Sequence, residues 1–283
     1  MKADNNLAVK EIREKLNNGK LSLFEKTQYK AYLETVSKFP DYSSNNQVLI
    51  FCQDKEATMV AGYKDWQTKY NRHVVKGGKG IKILAPRTRT VLKEKKDSFG
   101  NVVLDHNGIP VKEKKSEFIG FCTKTVFDIS QTAGDPIPGS ITSLFSGNVD
   151  GYTELVSILS SISPVPIQFG DKGSGYDPEA DVIAVKNNLS QRMTMQNLLP
   201  SIASAALYKQ TGTVYETESL ESESVDLIIA KHFGVESDYD FDYLTDWCDE
   251  KSLDDLSDVL KVIHSVSVGL IKDISKAAKA VSA

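Results

Sequence analysis

The run from Gly134 to Gly139 constrains the fold more than any other stretch of this sequence. It reads Gly-Asp-Pro-Ile-Pro-Gly, and each proline lacks the backbone N–H that helices and strands use. Such dense punctuation predicts a break between folded units. At 283 residues the chain is long enough for two domains with cores of their own. We therefore predict domains at 1–138 and 151–283, joined by a linker at 139–150.

The net charge changes sign across this break. Residues 1–150 carry 24 Lys and Arg against 17 Asp and Glu, a balance of +7, and the remaining residues carry a balance of −11. A basic half is suited to a polyanionic partner, whereas an acidic half is not. The charge split therefore predicts that the first half is the one that meets a polyanion.

Composition excludes several other classes of protein. Hydrophobic residues make up 40% and charged residues 25%, which is ordinary for a soluble globular chain. No apolar run approaches the roughly 20 residues that span a bilayer, and the polar N-terminus lacks a secretory signal. The three cysteines are widely spaced without a CxxC motif. These features predict a cytoplasmic protein without a membrane partner.

Periodicity in the first half changes from helical to extended. Apolar spacing predicts a first helix that ends at residues 17–19, a second that a capping box at Ser22–Glu25 begins and Pro40 ends, and a third over 45–53. A short exposed helix is expected at 61–70. Two strands, at 80–84 and 118–127, then flank a charged stretch whose Asn107-Gly108 pair is a hairpin signal. We interpret the stretch from Lys93 to Lys115 as a basic hairpin arm.

The second half is predicted to be dominated by helices with a few strands. Strands are expected near 164–169 and 181–185. Helices are expected near 151–161, 190–210, 218–233 and 241–249, with a last amphipathic helix that Ser252 caps. The fold class predicted for the whole chain is α+β, with N-terminal helices, a small β-sheet and a hairpin arm before the helical second domain.

The segment from Lys64 to Lys96 combines cations with aromatic rings. It holds eleven Lys and Arg against Asp65 and Glu94. Cations follow a phosphate backbone, and aromatic rings stack on unpaired bases, so the pair of features is typical of a single-strand binder. The glycines at 77, 78 and 80 let main-chain N–H groups approach a phosphate, although the Walker A pattern is absent. The predicted nucleic-acid-binding residues here are Tyr63, Trp66, Arg72, His73, Lys76, Lys79, Lys82, Arg87 and Arg89.

A structural interpretation of the same segment stays open. Trp66 and Tyr70 are four residues apart on one helix, a spacing that also suits packing against a core. Lysine-rich stretches are often no more than solvated surface.

Four motifs in the first half resemble a known family. They are Ser44-Asn-Asn-Gln-Val-Leu-Ile50, then Ala57-Thr-Met-Val-Ala-Gly-Tyr-Lys-Asp-Trp-Gln67 followed by Val75-Lys-Gly-Gly-Lys-Gly-Ile81, and Val126-Phe-Asp-Ile-Ser-Gln-Thr132. In this order they resemble the N-terminal domain of ArdC antirestriction and LtrC-like proteins over residues 10–138. The resemblance implies single-stranded-DNA binding and a place on plasmids, conjugative elements or phages. It also adds Asn46 and Gln131, which occupy family-like positions, to the predicted binding residues.

The second half resembles the zincin-like metallopeptidase domain of the same family, but the metal-binding motif has changed. The family carries HExxH on the long helix, where two His hold Zn²⁺ and Glu activates water. Here Pro200, Ser201 and Ser204 stand at those three positions, and Glu221 matches the third ligand. One carboxylate does not hold zinc. We therefore expect a pseudopeptidase domain with no metal, no cofactor and no enzymatic activity.

Other candidate chemistries are weak. The four histidines include no pair at helical ligand spacing. The serines lack a GxSxG elbow. The alternating aspartates 238, 240 and 242 lack the Gly and Glu of a calcium loop.

The sequence therefore predicts a single-stranded-DNA-binding accessory protein of a mobile genetic element, acting in antirestriction or in conjugative transfer. Duplex DNA and RNA stay open as partners. A first alternative is a protein-interaction or inhibitor module that contacts a host protein through residues 151–283. A second is a metallopeptidase with unrecognised ligands.

Overall fold

The structure is a computed structural model that describes residues 2–137, 149–171, 173–214, 219–235, 237, 239–244, 246–247 and 251–281. Its helices are α1 (Lys2–Ser22), α2 (Lys26–Lys38), α3 (Ser44–Gln53), α4 (Tyr63–Tyr70), α5 (Val149–Ile162), α6 (Gln191–Thr211), α7 (Leu220–Phe233) and α8 (Leu253–Val281). Its strands are β1 (Val60–Gly62), β2 (Arg72–Val74), β3 (Ile81–Glu94), β4 (Lys112–Asp128), β5 (Thr132–Gly134), β6 (Ile167–Gly170), β7 (Gly175–Asp177) and β8 (Val182–Lys186).

The first helix is longer than its sequence predicts. It passes through Gly19 to Ser22 because the glycine is the point where α1 touches α3: a Cβ there would lie 2.4 Å from the Cys52 Sγ. The predicted cap at Ser22 is therefore wrong. Glu25 caps α2 instead, and its carboxylate accepts hydrogen bonds from the backbone N–H groups of residues 27 and 28.

A long antiparallel hairpin is the main β-structure of the first half, as the charged stretch predicts. Strands β3 and β4 pair from Ile81–Val126 out to Glu94–Lys112, and β1 pairs along the other edge of β4. Both strands extend further than predicted. Beyond Glu94 the arm divides into two short hairpins, each closed by a turn in which an aspartate, Asp97 or Asp105, accepts backbone hydrogen bonds.

The second half contains a small mixed sheet beside its helices. Strands β6 and β8 are parallel, and β7 pairs antiparallel with β8. The sequence did not indicate β7, because Gly175–Asp177 is short and begins with glycine. Helices α5 to α8 confirm the helical predictions, with Gly234 in the left-handed conformation that ends α7. Of the helix expected at 241–249, residues 245 and 248–249 lie outside the described residues.

One apolar cluster joins helices from both sides of the Pro-Gly run. It includes residues of α1, α2 and α3 together with residues of α5, α6, α7 and α8. Polar contacts cross it as well: the Tyr29 and Ser224 hydroxyls lie 2.8 Å apart, and the His232 Nδ1 donates to the Ser37 carbonyl oxygen at 2.6 Å. The domain boundaries stay a prediction, and residues 139–148 of the predicted linker lie outside the described residues.

A second, smaller cluster supports the base of the hairpin. It packs Ile81, Ile83 and Val126 of the hairpin against Phe39 and Ile50 of the helices. The α+β class is thus confirmed. Within the described residues, every helix is too short or too polar to cross a bilayer.

Candidate nucleic-acid interface

A glycine-rich loop follows β2 and forms one wall of an open cleft of about 540 Å³. The Val75 N–H donates to the Gln131 carbonyl oxygen at 2.9 Å, and the Gly78 N–H donates to the Val75 carbonyl oxygen at 3.1 Å. Gly77 has a φ of +91°, which favours glycine at this turn. The loop brings Lys76 and Lys79, both exposed, to the rim of the cleft.

Gln131 closes the base of this cleft. Its side-chain Oε1 is buried and has no hydrogen-bond partner among the described residues. The oxygen lies 3.2 Å from where a Cβ on Gly78 would stand, so it faces the glycine loop. Unpaired buried acceptors are rare in proteins, and they mark places where a ligand or water can donate a hydrogen bond. The predicted role of Gln131 at the site stays a prediction that this geometry supports.

An aromatic pair adjoins the loop. The ring of Tyr63 is 50% exposed and meets the Phe127 ring edge-on, with centroids 6.3 Å apart. A Cβ on Gly80 would lie 3.2 Å from that Phe127 ring, so the loop passes directly over it. Lys82 extends beside the pair and donates to the Thr125 hydroxyl at 2.7 Å.

A second aromatic pair lies further out on the hairpin and was not among the predicted site residues. Phe118 and Phe121 are 56% and 43% exposed, with ring centroids 5.2 Å apart. A break in register between Arg87 and Thr88 places both rings on one face, and Gly120 opposite Arg87 takes a φ of +128°. Without such a bulge, residues three apart on a strand face opposite sides. The Phe-Ile-Gly-Phe pattern, with glycine inside a strand, was the signal for this bulge.

Trp66 corrects the sequence interpretation. The side chain is completely buried, and its Nε1 donates to the Phe127 carbonyl oxygen at 2.9 Å. The indole also packs on Tyr70, with centroids 5.1 Å apart. A ring held in this way cannot stack on a base, so the packing interpretation of the spacing applies and the stacking prediction for Trp66 is wrong.

Asn46 and Arg72 are also structural in this fold. The Asn46 amide exchanges two hydrogen bonds of 2.9 Å with the backbone of Leu84, which satisfies the free edge of β3. The Arg72 guanidinium donates to the Thr132 hydroxyl and carbonyl and to the carbonyls of Gly134 and Asp135. Both side chains therefore stabilise the backbone beneath the surface. Their hydrogen bonds are used within the fold, so the prediction that they bind a ligand directly is wrong.

The other predicted residues lie on the exposed surface. His73 and Arg87 are exposed, as are Lys76, Lys79 and Lys82. Arg89 is exposed but paired, because its Nε donates to the Glu117 carboxylate at 2.7 Å. This hydrogen bond lowers the pKa of the Glu117 carboxyl. A phosphate approaching Arg89 would compete with Glu117.

The positions that correspond to a zinc motif do not offer a set of metal ligands. Pro200 lies inside α6 without interrupting it, and the Ser201 hydroxyl is turned to the Asn197 carbonyl oxygen at 2.6 Å. Ser204 has no imidazole to offer. Glu221 is half-buried at the start of α7, where burial raises its pKa. Zinc needs three protein ligands, so this donor set does not fit it. In the part of the chain that the structure describes, no three His, Cys, Asp or Glu side chains form a metal-binding group.

Comparisons with known proteins give one family-model match and similar solved structures. Residues 6–127 match the model described as the N-terminal domain of anti-restriction factor ArdC. Two solved structures of the antirestriction ArdC protein from the R388 plasmid are similar to the chain. The metal-free one is 16% identical with a TM-score of 0.45, and the Mn(II)-bound one is 18% identical with a TM-score of 0.42. Each alignment covers 84% of this chain and 83% of the other. A comparison with curated proteins finds no match.

Proposed function

We propose that this chain, which carries the ArdC-type N-terminal domain over residues 6–127, binds single-stranded DNA through the hairpin and the glycine loop. Its biological role is then that of an antirestriction or transfer-protection protein of a plasmid or related element. That setting rests on the match of residues 6–127 to the ArdC N-terminal domain model. The assignment of the binding surface rests on the exposed rings and lysines of this chain.

The observation that carries the proposal is the arrangement of the Tyr63–Phe127 pair beside the glycine loop. Exposed rings and exposed lysines lie within one surface, with Lys82 next to the rings and Lys79 at the loop. Stacking contributes about 1–3 kcal/mol per base, and each neutralised phosphate adds a salt-dependent increment. Rings and cations side by side satisfy both requirements at once.

The second aromatic pair extends this surface along the arm. Phe121 and Phe127 lie six residues apart on β4, or about 20 Å at the usual strand rise. Arg87 lies at the bulge between the Phe118 ring and the base of the arm. A strand bound at both pairs would therefore contact several nucleotides. Bases in a duplex are already stacked on each other, so the same rings favour single strands over duplex.

The second half is proposed to act without catalysis. Its residues at the family's ligand positions cannot hold zinc, and without a metal no water is activated there. Its helices instead complete the apolar cluster that supports α1 to α3. The contribution of this half to function is then structural, with partner binding as an additional role.

Fluorescence anisotropy tests the proposal. A labelled strand of about 20 nucleotides and the matching duplex are titrated with the protein at low and at moderate salt. We expect tighter binding to the single strand and a steep loss of affinity with salt. Binding that is absent at low salt would refute the proposal and favour the rival in which the acidic half contacts a host protein.

Matched variants locate the surface. Replacing Lys76 and Lys79 together by Ala should weaken binding and reduce the steepness of the salt dependence by about two phosphate contacts. The control replaces Lys276 and Lys279, which are exposed on α8, and changes the net charge equally. Equal losses for both double variants would mean that binding follows net charge alone and that the loop is not the site.

A further inference from the structure

A small, partly open cavity in the second half contains a buried carboxylate. It measures about 200 Å³ and lies between α6, α7 and the chain that follows α7. Its walls are largely apolar, from Met195, Leu199, Ala230 and Val235. Asp226, which is 3% exposed, is part of its lining. An ionised carboxylate in such a place is unfavourable unless a cation or donors compensate it.

The hydrogen bonds of Asp226 are unequally distributed between its two oxygens. The Ser237 hydroxyl at 2.7 Å and the Tyr239 hydroxyl at 2.9 Å both donate to Oδ2. Oδ1 receives no hydrogen bond from the described residues. Burial raises the pKa of this carboxyl although both donors act against it. The side chain is therefore held in position at one oxygen and incompletely compensated at the other.

We propose that this cavity binds a primary ammonium group on a short aliphatic stem, with Asp226 as its counterion. The ammonium donates to Oδ1, and the methylenes of the stem fill the apolar space between Leu199 and Ala230. The cavity shares Gln196, Val235 and Ser237 with a larger open cleft of about 860 Å³. That cleft provides the route by which the stem enters.

The geometry selects this chemistry over other cations. A guanidinium pairs best with both oxygens of a carboxylate, but here two hydroxyls already occupy Oδ2. A divalent metal requires several oxygen or nitrogen ligands. No three His, Cys, Asp or Glu side chains come together in the described residues. A single open oxygen in an apolar cavity suits a compact ammonium, whose stem gains by leaving water.

Isothermal titration calorimetry tests the assignment with n-butylammonium chloride as the probe. We expect saturable binding to the wild type and at least about tenfold weaker binding to Asp226→Asn, because a charge-assisted hydrogen bond is lost. The control variant Glu179→Gln removes an exposed carboxylate that lines neither the cavity nor the outer cleft and should bind as the wild type does. The neutral analogue n-butanol should not bind. Equal binding of the alcohol, or of the amine to Asp226→Asn, would overturn the proposal.

A measurement on the unaltered protein keeps the test independent of the variant's folding. Affinity for n-butylammonium should fall as the pH drops below the pKa of Asp226, because the protonated acid offers no charge. An affinity that stays constant as the pH is lowered would contradict the proposal, because the carboxyl must become protonated in acid.

The ammonium group can belong to a lysine side chain of a protein partner or to a small amine, and an experiment with peptides distinguishes the two. A short peptide with one lysine is compared with the same peptide acetylated on that lysine. Binding of the unmodified peptide alone would assign the cavity to a lysine side chain of a protein partner. Binding of n-butylammonium without either peptide would assign it to a small amine. No binding of any amine would refute the site, and none of these results depends on the DNA-binding proposal.

Discussion

The indole nitrogen of Trp66 donates a hydrogen bond to the backbone carbonyl of Phe127, 2.9 Å away. The same phenylalanine turns its ring to the other side, where it meets the half-exposed Tyr63. One residue of β4 thus joins a buried anchor to an exposed aromatic pair. Tyr63 and Trp66 are two of the three aromatic residues of α4, and the fold exposes the first and buries the second.

Trp66→Ala should reduce the free energy of unfolding by about 3–5 kcal/mol, because it empties a fully buried site. Urea unfolding measures the loss. Trp66→Phe keeps most of the volume and forfeits chiefly the hydrogen bond to Phe127, so its loss should be smaller. Unchanged stability in Trp66→Ala, together with lost DNA binding, would restore the stacking role.

Phe121→Ala should weaken single-strand binding by about 1–3 kcal/mol, because an exposed ring that stacks on a base is removed. Its effect on unfolding should stay within about 0.5 kcal/mol, as is usual at an exposed site. Anisotropy and urea unfolding on the same sample separate the two effects. Phe169→Ala, at a similarly exposed ring on β6, serves as control, and an identical loss of binding there would argue against a local site.

Gly134→Ala should destabilise the protein by about 1–3 kcal/mol. Gly134 has a φ of +141°, and an added Cβ would lie 2.5 Å from the Asn71 carbonyl oxygen and 2.7 Å from the Arg72 Cα. Gly269→Ala in α8 meets nothing within 4 Å and should stabilise by about 0.5–1 kcal/mol. Thermal unfolding of both variants checks the pair, and the prediction fails if the two shifts have the same sign.

Asp226→Asn should gain stability relative to the wild type as the pH rises. Burial raises the pKa of Asp226 in the folded chain, whereas the same carboxyl in the unfolded chain has a pKa of about 3.9. The Asp226 carboxyl of the wild type therefore makes its full contribution to the free energy of unfolding below the unfolded-state pKa. It loses that contribution as the pH rises through the pKa of the folded chain. The asparagine oxygen still accepts from Ser237 and Tyr239. Unfolding at pH 4 and pH 7 measures the difference between the two proteins, which should not be constant.

Local patterns in the sequence predict most of the elements. Ser190 caps α6 and Gly234 ends α7 as their residue types predict, because these signals act within one turn of helix. Gly19 led to a wrong prediction of the end of α1 because the glycine serves a long-range contact with Cys52. Local helix propensity carries no information about such a contact. The same limit applies to the candidate site.

Charge and glycine content predict the exposed lysines and the loop, since both are local properties. The burial of Trp66 and the bond from Asn46 to the edge of β3 depend on residues far along the chain. The Phe118–Phe121 pair depends on a bulge whose register is set by the partner strand. Sequence reasoning therefore finds the cations and Tyr63, but it wrongly adds Trp66 and misses the Phe118–Phe121 pair.

The shared apolar cluster fixes the order in which this protein can be completed during synthesis. Leu33 and Val48 of the first half share that cluster with Ile274 and Ala278 near the end of α8. When the hairpin and the glycine loop have already left the ribosome, the helices beneath them still lack their packing contacts with α8. The hairpin and the glycine loop therefore reach their final support only after α8 has left the ribosome, and a chain released before that point would expose the inner faces of α2 and α3 to chaperones and proteases.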